Sequence, residues 1–310
     1  MLLSRVAENL YWAARYLERT EDTARFVRSF TELILDLPMG VASSWEPLIA
    51  IAGSVEEFDR SPVQATEENI VRFLVADADN PGSVIGSIGM ARENLRTTRE
   101  VIPREVWLAV NDLYLFANSD AEAGVDRRSR ARFLGKVIAD CQLLDGALGG
   151  SMRRDSAYEF WRLGQALERA DMTTRILGVR AAALLTLPLE ADDYDEVQWM
   201  GVLRSVTALQ MYQRARRGPI DGPSAVNFLL FDETFPRSVL GTLQRIKSAL
   251  GRLPQPDVTL PSVAVVESLL ATLHADIIDG AALDQAMDQV QLALADIHSS
   301  VYKTFFRGPR

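Results

Sequence analysis

The chain has 310 residues, 48% of them hydrophobic and 24% charged, with 42 acidic against 33 basic residues and a net charge of −9. That length supports an ample core, as two ordinary domains or one large helical body, and the composition is that of a soluble globular protein. The negative balance argues against nonspecific binding to nucleic acid or an anionic membrane. No apolar run approaches the roughly 18 residues that span a bilayer, and the N-terminus lacks the apolar core of a signal peptide, so a cytoplasmic location is expected. The single Cys141 fits a reducing compartment, and two histidines leave little for metal chemistry.

In chain order, hydrophobic periodicity predicts helices almost throughout. Leu3, Val6, Leu10, Ala13, Leu17, Ala24 and Val27 recur at steps of three and four, a long amphipathic helix that stops before Pro38. Comparable stripes cover about 66–76, 83–100, 103–118, 127–148, 154–186, 196–217, 236–250, 261–278 and 281–305. Asn80-Pro81-Gly82, Gly218-Pro219, Asp221-Gly222-Pro223 and Pro254-Gln255-Pro256 separate them. Only Val258-Thr259-Leu260 hints at a strand. The expected fold is all-α: an internally duplicated helical bundle with a pseudo-two-fold arrangement of long helices, forming one domain over 1–310. Its repeats start near 1 and near 151, with Gly149-Gly150 preceding the second.

The duplication is read from two ordered sets. Tyr11, Ala14, Leu17, Glu18, Arg19, Glu21, Thr23 and Arg25 are matched by Trp161, Gly164, Leu167, Glu168, Arg169, Asp171, Thr173 and Arg175, at one constant offset (168 − 18 = 150). Within each set the aromatic, the small residue, the Glu, the second acid and the last Arg share one helical stripe. Glu21 to Arg25 and Asp171 to Arg175 are acid-to-base pairs at the stabilising spacing of four. A solvated stripe has no use for Trp161 or for the helix-weakening Gly164. Arg19 and Arg169 lie about 100° around the helix from Glu18 and Glu168, so each must find partners on other helices.

Two readings follow. The stripes form either a structural layer of ion pairs or a shared pocket in which Arg grips a carboxylate or phosphate and Glu holds a cationic or amide group. Glu168→Gln and Arg169→Met separate them: loss of function with the fold intact marks a pocket, whereas stranding a buried charge costs on the order of 3–5 kcal/mol.

Leu3-Ser4-Arg5-Val6-Ala7-Glu8-Asn9-Leu10-Tyr11-Trp12, followed by Arg15-Tyr16-Leu17-Glu18-Arg19, closely resembles the opening of the bacterial alpha-E family, a helical domain with a recurrent Glu-Arg motif. The resemblance continues through Ala91-Arg92-Glu93-Asn94, Phe160-Trp161-Arg162-Leu163-Gly164, Leu167-Glu168-Arg169-Ala170-Asp171 and Phe228-Leu229-Leu230-Phe231-Asp232 with Phe235-Pro236-Arg237-Ser238. Position 14 is Ala where the family pattern leads one to expect Gly. The resemblance implies association with ATP-grasp-type amide ligases and transglutaminase-like peptidases, encoded beside the domain or fused to it. It also singles out Arg92 and Asn94 from a crowded polar segment whose other charges read as a solvated face.

Candidate ligand-binding residues are therefore Tyr11, Arg15, Glu18, Arg19, Arg25, Arg92, Asn94, Trp161, Glu168, Arg169, Asp171, Arg175 and Arg237. Glu18 and Glu168 are the candidate acid/base pair if the chain is catalytic. Pro236 suits the first turn of a helix capped by Thr234, where free amides beside Arg237 can hold an anion. Neither His274 nor His298 has Glu three residues before it, which removes the ferritin-like metal pattern. No Gly-rich phosphate loop or Gly-x-Ser-x-Gly elbow is present, so neither metal nor cofactor is expected. The expected function is an accessory, substrate-holding protein for an ATP-grasp-type amide ligase acting on a peptide-like or amino-acid ligand. An enzyme in its own right on peptide or amide substrates is the alternative, and a structural scaffold the third.

Overall fold

The computed structural model describes residues 3–36, 44–186, 195–273 and 280–307, and all regular structure in them is helical. Pro38, His274 and the end of the 261–278 stripe lie outside the described residues. In chain order the helices are α1 (Ser4–Asp36), α2 (Pro47–Ala52), α3 (Val55–Asp59), α4 (Glu67–Val75), α5 (Val84–Arg96), α6 (Arg104–Ser119), α7 (Ala121–Val125) and α8 (Arg130–Ser151). They continue as α9 (Ser156–Thr186), α10 (Asp195–Ser205), α11 (Leu209–Ala215), α12 (Gly222–Phe231), α13 (Val239–Arg252), α14 (Pro256–Thr272) and α15 (Gly280–Val301), which ends in a π-helical turn, Tyr302–Phe306. None of them is long and apolar enough to cross a membrane.

Local chemistry sets many of the boundaries. Thr66, Ser83 and Asp221 cap α4, α5 and α12 by accepting from the amides of Asn69, Gly86 and Ser224 at 3.3, 2.9 and 2.8 Å. Three sequence expectations are corrected. Val258-Thr259-Leu260 is helical, inside α14, because Pro256 sits in that helix's first turn and Thr259 is buried on its inner side. The stripe over 196–217 is two helices, α10 and α11, broken where Thr207 takes φ 54°. Helix α13 starts at Val239 under a Ser238 cap, whose Oγ accepts from Gly241 N at 3.0 Å. Thr234 instead turns its hydroxyl to Asp232 at 2.7 Å. Gly149-Gly150, which precedes the second repeat, lies within the last turns of α8.

The two longest helices, α1 and α9, form the central pair; α5, α8 and α10 pack round α1, while α13 and α15 pack round α9. Along the seam, rising numbers meet rising numbers, Tyr11 against Gly164 and Glu18 against Arg169. A Cβ at Gly164 would fall on the Tyr11 carbonyl oxygen, so glycine is what allows the backbones to approach this closely. The chain places its buried charges at that closest approach.

Candidate functional site

Glu18 and Arg19 are sequence neighbours, as are Glu168 and Arg169, and helix geometry turns each pair apart. Across the seam they exchange partners. Arg169 forks onto Glu18 with Nε to Oε1 at 2.7 Å and Nη2 to Oε2 at 2.8 Å, while Arg19 Nε donates to Glu168 Oε1 at 2.5 Å. Each carboxylate then collects a second guanidinium. Arg15 Nε reaches Glu168 Oε2 at 2.6 Å, and Arg237 Nη1 lies 3.0 Å from Glu18 Oε1. Residue 165, which stands 150 positions after Arg15, is Gln; Arg237 supplies the cation instead.

Arg237 reaches this place from the loop between α12 and α13. Asp232 shapes that loop by accepting the amides of Thr234 and Phe235, each at 2.9 Å, and the Arg237 carbonyl accepts from Thr173 Oγ1 at 3.1 Å. Its guanidinium also donates to Asp22 Oδ1 at 2.6 Å and Glu21 Oε1 at 3.2 Å, and Arg25 Nε reaches the same Glu21 oxygen at 2.8 Å. Arg237 therefore faces three carboxylates, not the free helix amides expected of it. The Glu21 to Arg25 pair forms as its spacing predicts, but inside the protein.

Burial is what makes these pairs strong. Glu18 and Glu168 have side chains only 1% exposed, and a charge so placed must be fully compensated. Burial opposes the ionised Glu168, yet Arg15 and then Arg19 outweigh it and hold its pKa at about 2. For Glu18, burial is likewise outweighed by Arg169 and Arg237, and its pKa falls. A carboxylate with that affinity for its partners is a weak base and carries no proton to donate at neutral pH, which weighs against Glu18 and Glu168 as the acid/base pair. Asp22 behaves oppositely. Burial dominates over Arg237, the charges of Glu18 and Glu21 add to it, and its pKa is pushed up to about 7; its Oδ2 has no hydrogen-bond partner.

Two cavities flank the Glu168 side. The larger, about 470 Å³, lies between α9 and α15, with Arg15, Asp171 and Arg175 on one wall and Asp288, Gln291 and His298 on the other. Leu167, Leu294 and Ala295 add apolar surface. The smaller, about 190 Å³, shares Asp171 and Arg175 with it and includes Arg19, Glu168 and the Gly53 and Asn80-Pro81-Gly82 turns. Arg175 Nε pairs with Asp171 at 2.9 Å. Its guanidinium lies against Gly53, whose φ of 68° and missing Cβ leave the room. Buried Tyr11 shares a hydrogen bond of 2.8 Å between its hydroxyl oxygen and Nδ1 of the cavity residue His298, and burial pushes its pKa up to about 12.

Of the sequence-chosen residues, Arg15, Arg19, Glu168, Asp171 and Arg175 line these cavities, and Tyr11 is buried behind His298 and Arg15. Glu18, Arg25, Arg169 and Arg237 form the adjoining buried cluster. Trp161 packs in the core beside it. Arg92 and Asn94 are not brought to the site: Arg92 turns to α6, with Nε on Asn111 Oδ1 at 3.0 Å and its guanidinium 4.6 Å over the Tyr114 ring. Asn94 contributes its carbonyl to Thr97 and Thr98 at 2.9 and 3.1 Å. Sequence reasoning passed over Asp22, Asp288 and His298. The signal for His298 was the step of three from Ala295 and four from Leu294, which sets it on the same inner stripe of α15.

Among curated proteins the chain resembles an uncharacterized protein of Mycobacterium bovis and one of Mycobacterium tuberculosis strain H37Rv, each 22% identical over 96% of this chain. The match covers 35% of each relative, so the chain spans about a third of their length. No solved structure matches. The family described as a predicted alpha-helical domain with a conserved ER motif matches residues 2–306. With its two Glu-Arg pairs joined across the α1–α9 seam, the chain belongs to the alpha-E family.

Proposed function

We propose that this chain is an accessory, substrate-holding protein for an ATP-grasp-type amide ligase, with the 470 Å³ cavity receiving a peptide-like or amino-acid ligand. The observation that carries the reading is the composition of that cavity wall. Arg15 and Arg175 offer guanidinium groups to a carboxylate, Asp171 and Asp288 offer acceptors to an ammonium, and Leu292 and Ala295 receive an apolar side chain. A zwitterion with a side chain needs those three surfaces. ATP chemistry belongs to the ligase, since the chain has no phosphate loop; a transglutaminase-like peptidase is the second partner the family resemblance suggests. Neither nucleic acid nor membrane enters the reading, and the setting is cytoplasmic.

The reciprocal exchange between Glu18 and Arg169 and between Arg19 and Glu168 supports reading the stripes as two copies of one unit about a pseudo-two-fold axis. The same burial favours a scaffold role for the Glu18 cluster itself, beside the cavity it braces. The test is amide-bond formation by the cognate ligase with and without this chain. Arg175→Met and Asp171→Asn alter a partly exposed rim pair, so melting should hold while stimulation of the ligase falls at least tenfold. A ligase equally fast without the chain, or fully stimulated by Arg175→Met, would sink the proposal, as would ATP turnover by the chain alone.

A further inference from the structure

A separate cleft of about 440 Å³ opens between the end of α8, the first half of α9 and α13. Four arginines line it, Arg154, Arg162, Arg245 and Arg252, against one lining carboxylate, Asp145. The gathering stands out in a chain of net charge −9. Its charges are unevenly compensated. Buried Glu159 divides its two oxygens between Arg162 and Arg252, each at 3.1 Å, and Arg154 stacks 3.9 Å over the Tyr158 ring. Asp145 is engaged by Gln165 Nε2 at 2.9 Å.

Arg245 forms no hydrogen bond or ion pair among the described residues. Burial, together with the like charges of Arg169 and Arg162, lowers its pKa, so an anion placed beside it relieves that repulsion. The cleft wall also includes Trp161, whose buried indole N–H has no acceptor. Arg245 and Trp161 thus line one cleft, and neither the guanidinium nor the indole N–H has a protein acceptor among the described residues.

The geometry points to this cleft as a second ligand site, one that binds an oxyanion group, phosphate or carboxylate, of a small molecule through Arg245 with Arg154, Arg162 and Arg252 around it. It is distinct from the peptide-ligand cavity, which lies between α9 and α15 and shares no lining residue with it.

The full chain is titrated with pyrophosphate and, separately, with succinate at fixed ionic strength, by calorimetry and by the indole N–H resonance of Trp161, assigned with Trp161→Phe. Saturable binding is expected, with the Trp161 resonance shifting as this cleft fills. Arg245→Gln removes a partly covered guanidinium that has no hydrogen bond or ion pair among the described residues, so it should weaken binding at least tenfold with melting unchanged. Arg175→Met, in the other cavity, should leave the affinity read from the Trp161 resonance as in the parent, whatever it does to carboxylate binding between α9 and α15, which separates this proposal from the ligase reading. Tighter binding of pyrophosphate identifies a phosphate-bearing ligand and tighter binding of succinate a carboxylate; both support the site. Saturation by neither probe overturns it, and so does unaltered affinity in Arg245→Gln.

Discussion

Glu168→Gln tests whether the seam is held by charge. Gln keeps the volume and one acceptor but removes the anion that Arg15 and Arg19 share, leaving two guanidinium groups whose side chains are only 11% and 24% exposed. The magnitude follows from proton linkage: a carboxyl held at about 2 in place of 4.5 is stabilised, when ionised, by roughly 3 kcal/mol. That agrees with the about 3–5 kcal/mol seen when one member of a buried pair is removed. The sign is fixed by the direction of the shift. A depressed carboxylate contributes stability above its unfolded value, and that contribution is lost as pH falls through the folded one, here from about 4.5 down to about 2. At pH 7 the variant should therefore melt roughly 5–10 °C below the parent, and the gap should narrow as pH falls towards 2. Scanning calorimetry and urea titrations of both proteins at pH 7 and pH 3 read this out. Equal melting at pH 7, or a gap that stays constant into acid, would refute the reasoning.

Three further outcomes are expected. Asp22 keeps, when folded, a proton that the unfolded chain releases between 3.8 and about 7, so its contribution declines as pH rises through that window; Asp22→Asn should gain on the parent between pH 4.5 and pH 8 in urea midpoints, and a pH-independent difference would contradict this. Gly164→Ala drives a methyl into the Tyr11 carbonyl and should destabilise by about 1–3 kcal/mol, whereas Gly146→Ala, with nothing within 4 Å of its Cβ inside α8, should stabilise by up to about 1 kcal/mol. Thr207→Gly relieves an exposed β-branched residue at φ 54° and should raise the denaturation midpoint by the equivalent of about 1 kcal/mol; a lowered midpoint would show that Thr207 is held there by something other than its backbone.

Much of the architecture was legible because helix geometry is local. The turn of about 100° between Glu18 and Arg19 forces their partners onto other helices, and a helix-weakening Gly164 beside Trp161 on the charged stripe implies a close backbone contact. What stayed hidden depends on long-range placement. Arg237 looked like part of a helix start, and nothing near it reveals that Asp22, 215 residues away, will meet it. Arg92 and Asn94 were drawn in by family resemblance, a signal blind to direction; packing sent Arg92 to Asn111 and two aromatic rings. Thr207 carries no breaker chemistry, so the division of α10 from α11 could not be read from periodicity.

The exchange at the seam also sets an order of events during synthesis. Glu18 and Arg169 are 151 residues apart, and at about 5–20 residues per second the ribosome needs roughly 8–30 s to deliver the second after the first. Throughout that interval α1 carries an apolar face and three acids, Glu18, Glu21 and Asp22, with only Arg25 of their final cations already made. The first helix is thus unable to collapse prematurely onto a dry core, since doing so would bury acids without their counter-charges. Arg169 on α9 answers Glu18, and Arg237, 68 residues later (237 − 169 = 68), completes the set for Asp22 and Glu21; the centre then closes only in the right register, because a shift by one residue along α9 takes Arg169 off Glu18 and Glu168 off Arg19 together.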